Sequence, residues 1–354
     1  MWTRANQSLK QEAVWGKHRC GEPLGKCFRG NRHDFRSNEA RLLSGKRGQM
    51  LDFFRQLEPC LVAMEACGGA HHVARRLCLL GLDARLIAGH FVTPYRMAGK
   101  SGKNDANDAE AICEAAQRPT MRFAHVRTEE QQAFGCLLKL REQLVEERTA
   151  VSNQAHAFLL EFGIQQKKGR AFIGTVADMT ESPDMNIPEA LRLTLFRLVA
   201  RYKAVDKEIS ELERDITAIN SQNENCKRMQ SIPGVGLITS SFIESWAGSC
   251  NQFKSARDFA AWAGLVPKQH TTGGVSNLLG ISKRGNSTLR KYLIHGARSV
   301  IQWKLEENHA WSPWIKKLLC SKKKTVAVVA MANKLARIIW AVLTKEQNYA
   351  AVAA

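Results

Sequence analysis

The chain is 354 residues long, which gives room for two domains with a core each. Its 52 lysines and arginines against 33 acidic residues leave a formal charge of +19. That excess points to a polyanionic partner, nucleic acid first, with a ribosome-associated or merely basic cytosolic protein as the plain alternative. No signal-peptide pattern opens the chain, and Asn333, Lys334 and Arg337 interrupt the longest apolar tract, Val326 to Leu343. Secretion and a membrane span are therefore not expected. Ten cysteines without a Cys-x-x-Cys pair, and an isolated His71-His72, argue for reduced cytoplasmic thiols and against structural zinc.

Residues 1–40 hold no period of 2 or 3.6 and read as an aberrant or disordered basic arm. Regular pattern starts with a short helix at Gln49 to Phe54. Cys60 to Met64 then predicts a buried strand that delivers Glu65 at its end, followed by a helix carrying Val73, Leu77 and Leu80. A second strand is expected at Ala84 to Ala88, a helix from Asp105 to about Arg118, and a third strand at Arg122 to Val126. Strand and helix alternate, so residues 41–127 read as a mainly parallel sheet covered by helices.

From Thr128 the period lengthens. Leu137, Leu140, Leu144, Val151, Ala155, Phe158 and Phe162 recur at threes and fours, a polar tip spans Gly163 to Asn186, and a second seam follows. That seam runs Leu191, Leu195, Leu198, Tyr202, Val205, Ile209, Leu212, Ile216, Ile219. The two runs predict an antiparallel coiled-coil hairpin over 128–225, a spacer or a dimerisation arm in a homo-oligomer.

In residues 226–354 the turn Pro233-Gly234-Val235-Gly236 precedes a helix, a helix-hairpin-helix signature in which Gly234 and Gly236 let backbone amides approach a phosphate. An ordinary helix–helix turn is the alternative. Gln269 to Gly274 reads as a flexible loop bearing hydroxyls. Lys283, Arg284, Arg290 and Lys291 form a basic stretch able to face DNA or RNA phosphates, although each alone is compatible with a solvated face.

Asp105 and Asp108 stand three apart at the head of their helix, so their carboxylates share one face, where the helix dipole favours negative charge. An acid-rich helix start is the plain explanation. With Glu65 at a strand end, the three form a candidate cage for hard divalent cations, and two such ions activate and clamp the oxygens of a phosphodiester displacement.

Several segments together carry a resemblance. Met-Glu-Ala-Cys-Gly (64–68), Lys-Asn-Asp-Ala-Asn-Asp-Ala-Glu (103–110), Ile-Pro-Gly-Val-Gly (232–236), Ala-Gly-Leu-Val-Pro-Lys-Gln (263–269) and Gly-Ile-Ser-Lys-Arg-Gly-Asn (280–286) occur in this order. From about residue 40 onward the chain resembles the DEDD transposases of bacterial insertion sequences, the IS-one-ten and IS-eleven-eleven groups. The resemblance implies an α/β plus α protein: a RuvC-like, RNase H-like domain, the hairpin, and a helical transposase domain with a helix-hairpin-helix motif. It implies magnesium held by Glu65, Asp105 and Asp108 as the second to fourth acidic positions. It implies DNA strand exchange through a loop hydroxyl nucleophile, a guide RNA in many members, and action at the bacterial nucleoid. The carboxylates would come from a neighbouring domain or another subunit.

Two positions depart from that pattern. The first aspartate of the family, in a Gly-x-Asp-x-Ala strand, has no counterpart here, as though a reading frame or start site were lost; Asp34 and Asp52 lie in the wrong context. The serine that precedes the loop glycine is replaced by Thr272, with Ser276 the nearest serine. A decayed copy that binds nucleic acid without catalysis, and a Holliday-junction-resolvase-like metal nuclease, are the competing functions.

Overall fold

The computed structural model describes residues 12–15, 27–30, 47–96, 105–169, 171–183, 185–302, 309 and 311–350, with the backbone alone at 12–15, 27–30, 47–49, 105–107 and Val275. Contacts divide the chain into two compact units, Met1–Glu129 and Glu130–Ala354. Each is described by itself.

The first unit is built on a five-stranded mixed sheet of order β2-β1-β3-β4-β5. Its centre is β3 (Leu61–Glu65), parallel to β4 (Asp83–Ile87) on one side and to β1 (Glu12–Trp15) on the other. β2 (Cys27–Gly30) and β5 (Phe123–Ala124) close the edges in antiparallel fashion. Alternate residues of β3 serve opposite cores, as period 2 requires. Val62 and Met64 pack with Met50 and Phe54 of α1 (Arg47–Arg55) and with Val73, Ala74 and Leu77 of α2 (Ala70–Leu79). Ala63 packs on the other face with Val92 of α3 (Gly89–Val92) and with Ala111, Ile112 and Ala115 of α4 (Asp105–Ala116). Leu77, Leu86, Ile87 and Ile112 are fully buried, and each such side chain stabilises the unit by about 1.5–3 kcal/mol.

Two expectations change here. β1 and β2 lie inside residues 1–40, where the sequence pattern predicts no element. Four-residue strands are too short for an alternation to register, and what defines them is backbone pairing to β3 and to each other. The predicted third strand at Arg122 to Val126 shrinks to Phe123–Ala124 and runs antiparallel to β4.

The second unit opens with two 33-residue helices, α5 (Glu129–Glu161) and α7 (Glu189–Ser221), packed antiparallel. Leu144 meets Val205, Ile209 and Leu212, while Ala155 and Leu159 meet Leu191, Leu195 and Val199. Arg141 reaches Glu213 (Nε to Oε1 2.8 Å), Arg148 pairs with Asp206, and Arg201 pairs with Glu147. The buried line of α7 is Leu191, Leu195, Val199, Val205, Ile209, Leu212, Ile216 and Asn220. Val199 and Asn220 are buried beside the predicted Leu198 and Ile219; Leu198 and Tyr202 are half-buried against the same core, and Ile219 is 45 % exposed. A straight helix turns every 3.6 residues and drifts off a strict heptad, which moves the inward position by one. The predicted polar tip contains a further helix, α6 (Phe172–Glu181), whose Phe172, Ile173, Val176 and Ala177 cover the end of α7. Arg192 holds α6 in place by donating to the carbonyls of Met179, Thr180, Ser182 and Met185.

The remaining helices are α8 (Glu224–Gln230), α9 (Leu237–Ala247), α10 (Ala256–Trp262), α11 (Ser287–Gln302), α12 (Ser312–Ser321) and α13 (Lys324–Thr344). By length and composition α13 could cross a bilayer. Here Ala327, Met331, Ala332, Leu335, Ala336 and Ile339 are fully buried in the core of the unit. Phe134, Leu138 and Ile216 from the long helices join the same core, so the hairpin and the C-terminal helices form one unit rather than two.

Candidate functional site

The acidic residues belong to the first unit. Glu65 ends β3, where the strand still pairs with Ile87, and Ala66 N–H donates to the Ile87 carbonyl at 2.8 Å. The Glu65 carboxylate lies against Gly89, where a Cβ would stand 2.4 Å from Oε1, so glycine leaves the space that the side chain uses. Asp108 sits in the first turn of α4, the helix that packs on β3 through Ala111 and Ile112 against Ala63. Its side chain is 6 % exposed; Oδ1 forms an ion pair with Arg96, Nε to Oδ1 3.0 Å, and Oδ2 is buried without a hydrogen-bond partner among the described residues. Asp105 opens the same helix, and its side chain is outside the described residues.

β1 lies beside β3 in the sheet. Its acidic residue, Glu12, pairs with Leu61 and not with the Glu65 end. Four residues of strand, about 13 Å, separate those two levels. Among the described side chains no three acidic, histidine or cysteine groups converge on one point. Two hard-oxygen donors, one with a buried unsatisfied oxygen, fit a divalent cation in chemical type.

The hydroxyl residues belong to the second unit. The predicted loop at Gln269 to Gly274 is instead a β-hairpin, β6 (Pro267–Thr272) with β7 (Val275–Ile281). Gly273 (φ 56°) and Gly274 (φ 80°) make the two-residue connection with positive φ at both positions, the geometry that matches strand twist and that glycine adopts without strain. Thr272 flanks that turn, exposed, paired with Val275. Ser276 pairs with Thr271, so it lies on the opposite face from Thr272, and Gln269 Nε2 donates to both Thr271 Oγ1 (2.9 Å) and Ser276 Oγ (3.2 Å). Exchanging Ser276 for Thr272 would require the ladder to slip.

The root of the hairpin explains why two of the quoted segments occur together. Ser282 N–H donates to the Val266 carbonyl (2.7 Å), Lys283 N–H to Gly264 (3.2 Å) and Asn286 N–H to Trp262 (3.3 Å). A Cβ on Gly285 (φ +92°) would stand 2.0 Å from the Trp262 carbonyl oxygen, and one on Gly264 2.2 Å from that of Arg284. The two segments are halves of one clamp. Arg290 donates to the Ala263 carbonyl (3.1 Å) and Asn333 to the Leu265 carbonyl (3.2 Å), adding side-chain ties from α11 and α13.

The predicted cations therefore separate. Lys283 and Arg284 are exposed beside the hairpin root. Arg290 ties the clamp, and Lys291 pairs with Glu142 (2.6 Å), a bond that raises the Lys291 pKa. These two are engaged within the unit and leave Lys283 and Arg284 as the outward pair. The Pro233 to Gly236 turn joins α8 to α9, with Gly236 exposed at the start of α9. Gly234 (φ +85°) faces inward: its Cβ would stand 2.6 Å from Val300 Cγ2, and a Cβ on Gly296 would stand 2.0 Å from the Gly234 carbonyl oxygen. Backbone crossing against α11 is what Gly234 provides. Asn333 and Arg290 as clamp residues carried no sequence signal beyond being polar residues on apolar-periodic helices.

A family model described as Transposase IS116/IS110/IS902 family matches residues 226–312, and a DEDD transposase model of the IS110 type matches residues 33–164. The chain belongs to this transposase family. A probable family 20 transposase of Pseudomonas aeruginosa is 45 % identical over 309 residues, covering 86 % of this chain and 90 % of that protein. The transposase of insertion sequence element IS1328 from Yersinia enterocolitica is 43 % identical, over 84 % of this chain and 88 % of that protein. The transposase of element IS1111A from Coxiella burnetii is 40 % identical, over 86 % of this chain and 83 % of that protein. The first family match spans the turn, clamp and hairpin, and the second spans β3 to β5 and α5. Glu65, Asp108 and Thr272 thus lie inside the matched segments of a transposase.

Proposed function

We propose that this transposase exchanges DNA strands through a covalent protein–DNA intermediate, with Thr272 as nucleophile and with Glu65, Asp105 and Asp108 holding magnesium. The RNase H-like character of the first unit, the coiled-coil character of the hairpin and the helix-hairpin-helix role of the Pro233 to Gly236 turn belong to this reading. So do a guide RNA and a homo-oligomeric assembly. The observation that carries it is the hairpin tip. Thr272 is an exposed hydroxyl beside a two-glycine turn at the tip of the hairpin, with Lys283 and Arg284 exposed beyond the opposite, root end.

In the reaction Thr272 Oγ forms a bond to a DNA phosphorus while the bond from that phosphorus to the leaving sugar oxygen breaks. The threonine proton goes to solvent and the departing oxygen takes one up. Lys283 and Arg284 offset phosphate charge beside the hairpin. A bound magnesium ion supplies Lewis-acid polarisation of phosphate oxygens. The role of Asp108 is to present a charged, buried oxygen from a helix that packing against β3 keeps in place. With no carboxylate on β1 at the level of Glu65, one cation of a pair would lack a ligand, and slow exchange by this copy is expected.

The test is trapping of a DNA adduct. Full-length protein with magnesium and DNA carrying the ends of its element should give a covalent species on denaturing gels, absent in Thr272→Ala. An adduct that persists in Thr272→Ala refutes the nucleophile assignment, and metal-dependent cutting with no adduct favours the resolvase-like chemistry. Binding to duplex DNA should weaken with salt at a log–log slope of roughly −5 or steeper if six or more phosphates are neutralised.

A further inference from the structure

We propose that Arg96 is the exchangeable counter-ion of Asp108, occupying the carboxylate until a divalent cation displaces it. This rests on the reading that the acidic residues hold such a cation, and it adds a residue and a step to it. Arg96 ends the 3₁₀ turn Thr93–Tyr95, with its own N–H bonded to the Thr93 carbonyl at 3.2 Å. Its guanidinium approaches Asp108 with Nε 3.0 Å from Oδ1.

A guanidinium can satisfy both oxygens of a carboxylate with its parallel N–H groups. This one leaves Oδ2 buried and without a hydrogen-bond partner among the described residues. A charged carboxylate removed from water needs a counter-charge, and a vacant buried lone pair is costly. The pair therefore balances charge without completing coordination. The two partners also differ in surroundings: the Asp108 side chain is 6 % exposed, the Arg96 side chain 38 %. Arginine can rotate into water with its hydration largely restored, whereas Asp108 is fixed on α4. A divalent cation at Oδ2 would face the guanidinium across one carboxylate, and like charges at that separation repel. Cation binding and the Arg96 contact thus compete, and the exchange returns a mobile guanidinium to solvent next to the acidic residues.

The test is titration of full-length protein with Mn²⁺, read by loss of the free-ion electron paramagnetic resonance signal. Removing the competitor in Arg96→Gln should tighten Mn²⁺ binding roughly two- to fivefold, the range expected when a partly exposed ion pair is removed. Arg96→Lys keeps a cation and should stay near the native affinity. In Asp108→Asn the Arg96→Gln substitution should no longer change Mn²⁺ affinity, because the contact it competes through is gone. Thermal melts give a second readout: without metal Arg96→Gln should melt lower than the native chain, and saturating Mn²⁺ should close the gap. Unchanged or weaker Mn²⁺ binding in Arg96→Gln overturns the proposal, as does a melting deficit that persists equally with Mn²⁺, which marks a purely structural ion pair. Absence of Mn²⁺ binding in both folded proteins is a different failure, because it refutes the metal-binding reading on which the exchange depends.

Discussion

The two regions that carry the candidate chemistry achieve order by opposite means. Asp108 is buried, fixed by a helix whose apolar face packs under a central strand, and paired with Arg96. Thr272 is exposed, and what fixes it is backbone: a short ladder, a glycine turn, and a root locked by carbonyl contacts at Gly264 and Gly285. Burial makes the first region sensitive to charge, whereas backbone crossing makes the second sensitive to a single added carbon. Substitutions of about the same size should therefore fail in different ways in the two regions.

The largest expected effect is chemical and belongs to the acidic region. Asp108→Asn keeps the volume and removes the charge, and strand exchange should fall on the order of 10³-fold, the scale of losing metal-assisted transition-state stabilisation. Its melting temperature should change little, and a large loss of stability instead would erase the contrast. In the hairpin the expected failure is structural. Gly285→Ala puts a Cβ 2.0 Å from the Trp262 carbonyl at φ +92°, and chemical denaturation should show a loss of about 2–4 kcal/mol. A native-like stability would mean that the clamp yields.

A smaller effect comes from pH in the first unit. Burial, then Arg127, Arg75 and His125, lower the His71 pKa from 6.5 to about 4, and its Nδ1 accepts the Arg127 N–H at 3.2 Å. The unfolded chain binds the proton first, so stability should decline as pH falls from about 6.5 toward 4, and His71→Gln should flatten that part of the denaturation profile. A profile unchanged by the substitution would exclude His71 as the source. The smallest chemical change is Thr272→Ser. It keeps the hydroxyl and relieves the crowded Cβ, so adduct formation should stay within roughly tenfold of the native rate, on either side. Below both lies the long hairpin of α5 and α7, where Arg148→Ala removes a half-exposed pair with Asp206 and should cost less than about 1 kcal/mol in a thermal melt.

What the sequence by itself determined is whatever depends on local period and on residue chemistry. The strand ending at Glu65, the helix beginning at Asp105 and the two long helices follow from spacing, because burying one face imposes a period of 2 or about 3.6 on the chain. The family could likewise be read from short segments in order, and the matches to transposases bear it out. Tertiary structure decided the rest. The strands at Glu12–Trp15 and Cys27–Gly30 exist by pairing with partners distant in sequence, and four residues carry too little pattern to announce them. The hydroxyl loop became a hairpin because its ladder and root bonds lie across the turn rather than along the chain. Cations alike in sequence parted into two that are held within the unit and two that face outward, according to whether a carbonyl or carboxylate waited nearby. Gly234, Gly264 and Gly285 look the same on paper as glycines that approach a phosphate. Only the position of Gly296, Arg284 and Trp262 shows that their missing Cβ admits another stretch of the same backbone, since a close approach is a property of two segments and the sequence of either one cannot contain it.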